Sequence, residues 1–123
     1  MLSRTLVTGL ALQLLVALAA SPARAQHATI GDSEAAAHVG ELATVEGVVA
    51  NVFTSRAGNT FLNFGKPYPD QTFTAVVFRS AAGRFSDLHG WEGKKVRVTG
   101  RIKLYRGRPE IVLEYPEQRS SSP

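Results

Sequence analysis

Cysteine is absent from all 123 residues, which rules out both a disulfide framework and thiolate metal ligation. Histidine occurs only at positions 27, 38 and 89, too dispersed along the chain for a zinc or copper site to be expected. Gly-Lys occurs at Gly65-Lys66 and Gly93-Lys94, and neither has the spacing of a phosphate-binding loop. No Ser-His-Asp or Cys-His arrangement can be assembled from chain order, and no cofactor motif is present. There is a single long apolar run, from Leu6 to Ala20. It is shorter than the roughly 20 residues a transmembrane helix needs.

That run has the flanks of a secretory leader. Arg4 precedes it, and Ser21-Pro22-Ala23-Arg24-Ala25 follows, with small residues at the A-x-A positions. Residues 1–25 are therefore expected to be a signal peptide cleaved after Ala25. The mature chain would be periplasmic or secreted, with no membrane anchor. Removing 25 residues from 123 leaves 98, enough for one small domain. Without disulfides its stability must come from an apolar core.

Charge is modest once the leader is discounted. Of fourteen Lys and Arg, Arg4 and Arg24 would leave with it, so twelve face ten acids, a net +2. The distribution is more telling than the sum. From Arg79 to Arg108 there are nine basic residues and only two acids, Asp87 and Glu92, which allows a basic surface.

Past the leader, Asp32 and Ser33 read as N-caps for a short helix ending near Gly40. Leu42 to Phe53 is rich in β-branched residues, and Gly47 inside it suggests a bulge or bend. Arg56 to Asn59 reads as a turn, Thr60 to Phe64 as a strand, and Gly65 to Gln71 as a loop with two prolines. Thr72 to Phe78 is a third strand, and Ser80 to Leu88 has weak helical character. Lys94 to Tyr105 alternates, with Val96, Val98, Ile102 and Leu104 on one face and Lys95, Arg97, Arg101 and Lys103 on the other. Gly100 marks a bend there. Arg106-Gly107 is a tight turn, Pro109 to Tyr115 a last strand, and Gln118 to Pro123 a polar tail expected to be disordered.

Three strands, a helical connection and two more strands describe an all-β, five-stranded OB-fold barrel with a short N-terminal helix. An SH3-like barrel would leave Ser80 to Leu88 unexplained. The expected layout is 1–25 leader, 26–40 N-terminal extension, 41–116 barrel and 117–123 tail.

The stretches Val39-Gly40-Glu41, Thr44 to Val49, Gly58 to Gly65, Gly93 to Ile102 and Tyr105 to Ile111 resemble the OB-fold nucleic-acid-binding domains of the anticodon-binding-like group. Such domains occur as free-standing exported proteins and attached to secreted nucleases. The resemblance spans roughly residues 38–115 and implies a fold more specifically than a ligand. It implies single-stranded nucleic acid as partner, bound on the face of the second and third strands between the first and last hairpin loops. Phe61, at a position matching a base-stacking aromatic of those relatives, is the leading candidate. If Leu62 and Phe64 point into the barrel, Phe61 is displayed outward; the alternative packs Phe61 under Tyr68 or the helix as core. The strand Thr72 to Phe78 cannot be oriented, so Phe73 is a second aromatic candidate. Tyr68 and Lys66 in the proline loop, Arg56 in the first hairpin, and Tyr105, Arg106 and Arg108 in the last complete the set. Secreted thermonucleases share a related barrel but need more helices and an acidic calcium site. Here Asp70, Asp87, Glu110 and Arg106 fall in the wrong elements, so the expected module is not an enzyme and acts as a monomer. An envelope protein, a glycan or another anionic ligand is the alternative partner.

Overall fold

The computed structural model describes residues 27–122, so the leader expected over 1–25 lies outside the described residues. The path begins with β1 (Thr29–Gly31), followed by a 3-10 turn over Asp32–His38. Next come β2 (Leu42–Thr54), β3 (Thr60–Phe64) and β4 (Phe73–Val77). A four-residue helix α1 (Arg79–Ala82) and a 3-10 turn over Leu88–Trp91 lead into β5 (Lys95–Arg101). The chain ends with β6 (Lys103–Tyr105), β7 (Arg108–Val112) and β8 (Arg119–Ser121).

The strands form one sheet in the order β6-β7-β4-β3-β2-β5-β8, with β1 parallel to β2. Every other neighbouring pair is antiparallel except β4–β7. Only Ile102 separates β5 from β6, which lie towards opposite ends of that order. One bent strand thus joins the two sides of the sheet and curls it into a barrel. The backbone of Ile102 does not pair with a strand there; it bonds to Gly40 and Glu41.

The length of β2 lets it serve both halves of the barrel. Leu42 to Val48 pair with β5, while Val49 to Thr54 pair with β3. Ala43, Val45 and Val49 point into the core, but after the bulge at Ala50 the inward residue is Val52. A one-residue slip reverses every following side chain. Asn51 and Phe53 are turned outward for that reason alone.

Gly47, expected to mark the bulge, keeps regular register opposite Val96. Its role is one of close approach: a Cβ there would stand 2.6 Å from Asp32 Oδ1. Asp32 was expected to cap a helix. Its carboxylate instead accepts a hydrogen bond from the Thr72 hydroxyl, and the turn is capped at Gly31, whose N–H donates to Glu34 Oε1 at 2.8 Å.

The core gathers Val45, Val49, Leu62, Phe64, Phe73, Ile102 and Ile111 from all around the barrel. Leu104 keeps the inward phase, opposite Pro109, but is 57% exposed in β6, a short strand at the sheet's end whose three residues are all exposed. The helical connection expected over Ser80 to Leu88 is split into two short turns that bury Ala81 and Trp91.

The tail expected to be disordered is instead ordered to Ser122. Pro116–Gln118 form a 3-10 turn and β8 pairs with β5. Gln118 holds it by donating to Thr99 O and Val112 O and accepting from the N–H groups of Glu114 and Tyr115. The Arg119 guanidinium lies 4.2 Å over the Trp91 ring, and Ser122 donates to Glu46, which also accepts from Arg97. A polar composition signals disorder because it lacks apolar burial. These side-chain-to-backbone bonds supply the order that composition does not reveal.

Candidate functional site

Strand register builds a groove on the outer face of β2, β3, β4 and β7. One rung across the sheet is apolar: Phe53 stands opposite Phe61, and Phe61 opposite Val76. The adjoining rung is polar, running Asn51, Asn63, Thr74, Glu110 and Lys103 from strand to strand. Directly opposed side chains are near enough to touch. Tyr68 and Gln71 from the β3–β4 loop form one wall of the resulting cleft, about 590 Å³ in volume. Tyr105, Arg106 and Arg108 from the β6–β7 hairpin form another.

The rings of Phe53, Tyr68 and Tyr105 are open to solvent, and that of Phe61 is half-buried. Phe53 is 55% and Tyr105 53% exposed. Phe53 and Phe61 lie nearly parallel, 23° apart, with centroids 6.4 Å from each other. The hairpin turn has positive φ at both central residues, 52° at Arg106 and 79° at Gly107, as a two-residue turn matching strand twist requires. That backbone suits Asn or Gly, yet Arg stands there, its guanidinium 5.3 Å over the Tyr105 ring.

The polar rung has a fixed direction. Asn63 Nδ2 donates to Asn51 Oδ1 at 3.0 Å, so Asn63 Oδ1 must accept, and does, from the Thr74 hydroxyl at 3.1 Å. Thr74 has then spent its one proton and accepts from Gln71 Nε2 at 3.3 Å. This sequence turns Gln71 Oε1 away from Thr74, and it is buried with no hydrogen-bond partner among the described residues. An unsatisfied buried acceptor costs about 1–3 kcal/mol.

Glu110 closes the same rung and is 9% exposed. Burial pushes its carboxyl above the ordinary 4.5, against a smaller opposing pull from Lys103. A carboxyl with a raised folded-state pKa binds its proton more tightly in the folded chain. Its penalty on stability is therefore present at neutral pH and fades as pH falls through the folded pKa towards 4.5. Glu110→Gln is expected to melt above the wild type at neutral pH, with the gap closing below 4.5. Thermal melting of both proteins across that range checks this, and a gap that widens on acidification would refute it.

The sequence matches no protein-family model and no curated protein. Solved structures superpose on it to differing extents. An aspartyl-tRNA synthetase from Leishmania major Friedlin superposes on 81% of this chain with a TM-score of 0.51 and 10% identity. This chain spans about a fifth of that enzyme, 22% of its length. OBody AM1L10, solved bound to hen egg-white lysozyme, aligns over 83% of this chain and 96% of its own at 13% identity, with a TM-score of 0.48. An Entamoeba histolytica asparaginyl-tRNA synthetase covers 71% of this chain and 22% of its own at 15% identity and a TM-score of 0.44. This chain has an OB fold.

In OB terms β3 and β4 are the second and third barrel strands, whose face and flanking loops are the customary binding surface. The groove lies there. Phe61, Tyr68, Tyr105, Arg106 and Arg108 are brought together around it. Phe73 is not: it is fully buried, edge-to-face with Phe64 at 5.1 Å and 73°. Both faces of its strand are apolar enough to be covered, and parity with Ala75 and Val77 puts Phe73 in the barrel. Lys66 is exposed on the β3–β4 loop and Arg56 on the β2–β3 turn, and neither lines the groove. Lys95, Arg97 and Arg101 belong to β5, outside the groove lining, where Arg97 pairs with Glu46 at 3.0 Å and Arg101 bonds Gly40 O.

Sequence reasoning missed Asn51, Phe53, Gln71, Thr74 and Glu110 as groove residues. One signal was available. Asparagines at 51 and 63, inside strands otherwise made of β-branched and aromatic residues, stand against β propensity.

Proposed function

We propose that this protein is an exported, non-catalytic OB module that binds single-stranded DNA or RNA outside the cytoplasm. One observation carries the reading. The exposed rings of Phe53 and Tyr105 and the half-buried ring of Phe61 border a hydrogen-bonded polar rung of Asn51, Asn63 and Thr74, with Gln71 bonded to it. Single-strand recognition asks for this pairing, a π surface for stacking beside polar groups that meet the base edge. Arg106 and Arg108 add positive charge at the rim for phosphates.

Export rests on the leader pattern of residues 4–25, and the non-catalytic reading on the groove's composition. Glu110 is the one carboxylate lining it, and no histidine or serine does. The fold neighbour from Leishmania major is named as a tRNA synthetase, which agrees with a nucleic-acid ligand. A glycan is the second reading, since the amides of Asn51, Asn63 and Gln71 also suit sugar hydroxyls.

Fluorescence anisotropy with a labelled unstructured oligonucleotide tests the proposal. With two phosphates held by Arg106 and Arg108, a fourfold rise in salt should weaken binding about sevenfold, given a slope of about −0.7 per phosphate. Replacing both arginines with alanine should flatten that dependence. Absence of binding at low salt would end the nucleic-acid reading and favour the glycan, and oligonucleotide binding indifferent to salt would remove the phosphate contacts from it.

A further inference from the structure

Beyond Phe61 the groove continues into a second hollow of about 110 Å³. It shares Phe61, Tyr105 and Glu110 with the main cleft, and its other walls are Val76, Phe78 and Asn59. Parity explains Phe78. It follows Thr74 and Val76 on the outward face of β4, one step past the Thr60–Val77 pair. A large aromatic is thereby left 43% exposed at the end of a strand whose every residue is buried. Asn59 Oδ1 accepts the N–H of Arg79 at 2.9 Å, so its amide nitrogen is the donor this side chain can offer a ligand.

We infer that this hollow is a second base subsite, so that the groove takes two successive nucleotides of one strand, one on each side of the Phe61–Tyr105 wall. The inference rests on the nucleic-acid reading of the main cleft and adds the length of strand it engages. Two hollows with a common aromatic wall suit a strand whose bases are splayed apart, since each base then finds a ring of its own. The Arg106 guanidinium lies over Tyr105, part of that wall, which sets a positive charge beside the phosphate linking the two bases. Continuity with the cleft and this charge favour a neighbouring nucleotide over an unrelated apolar group.

The test compares 5′-phosphorylated mono- and dinucleotides of thymidine and deoxyguanosine on the purified protein. The dinucleotide should bind roughly 5- to 100-fold more tightly than the mononucleotide, the worth of one additional stacked base. Phe78→Ala should remove most of that step, leaving the part due to the added phosphate, while mononucleotide affinity stays unchanged, and Phe78→Tyr should restore it. Amide shifts of wild-type protein give a readout that needs no variant: Asn59 and Phe78 should respond to the dinucleotide and not to the mononucleotide. Equal affinity for the two lengths, or a length step undiminished by Phe78→Ala, would overturn the second subsite and leave the main cleft standing. Failure of every nucleotide to bind at low salt would overturn both.

Discussion

Replacing Phe73 with alanine is expected to cost about 3–5 kcal/mol of stability, the range for emptying a fully packed phenylalanine site. The side chain has no exposure and stands edge-to-face with Phe64, so the substitution loses transfer energy, a ring–ring contact and packing around the cavity. A domain of this size has about 5–15 kcal/mol in all, and without cysteine no covalent bridge supports it. The loss would therefore be a large share of the total, and the melting temperature should fall by about 4–8 °C per kcal/mol. Chemical denaturation of the two proteins measures it. A Phe73→Ala protein that melts like wild type but binds oligonucleotide less well would return Phe73 to the groove.

Phe61→Ala should do the reverse. Phe61 sits one residue out of phase with Leu62 and Phe64, on the groove side of β3, with the near-parallel Phe53 ring stacked beside it. Losing such a pair costs about 0.5–1.5 kcal/mol beyond its area, so the barrel should fold and lose less stability than Phe73→Ala does. Binding should suffer far more. Removal of one stacked base platform is worth about 1–3 kcal/mol, or roughly 5- to 100-fold in affinity. Anisotropy titration on a variant shown to be folded checks this. Unchanged affinity would mean that ligands do not stack on Phe61, and the nucleic-acid reading would lose its main support.

The contrast between these two phenylalanines marks how far the sequence can be read. Around Phe61 the alternation Phe61-Leu62-Asn63-Phe64 is enough to separate core from surface, because two large apolar residues share one phase. Phe73 lies in Phe73-Thr74-Ala75-Val76-Val77, where both phases are apolar, and β4 is in fact buried along its whole length. Periodicity has nothing to choose between when neither side of a strand faces water. The same limit hid Thr74 and Val76 beneath the groove.

Element order, the barrel class and the candidate loops were set by local features: β-branched runs, turn residues, and the helical break between third and fourth barrel strands. Those are properties of neighbours along the chain, and a sequence displays them directly. The groove's chemistry is different in kind. Asn51, Asn63, Thr74 and Glu110 become one rung only through the registers of four strands, and Asn51 and Phe53 face outward only because of the slip at Ala50. The unsatisfied acceptor at Gln71 follows from the direction of bonds along that rung. The polar tail is likewise ordered by contacts with β5, Trp91 and Glu46. Such features depend on which distant segments are brought side by side, and a one-residue change of register would abolish them while leaving composition and element order untouched.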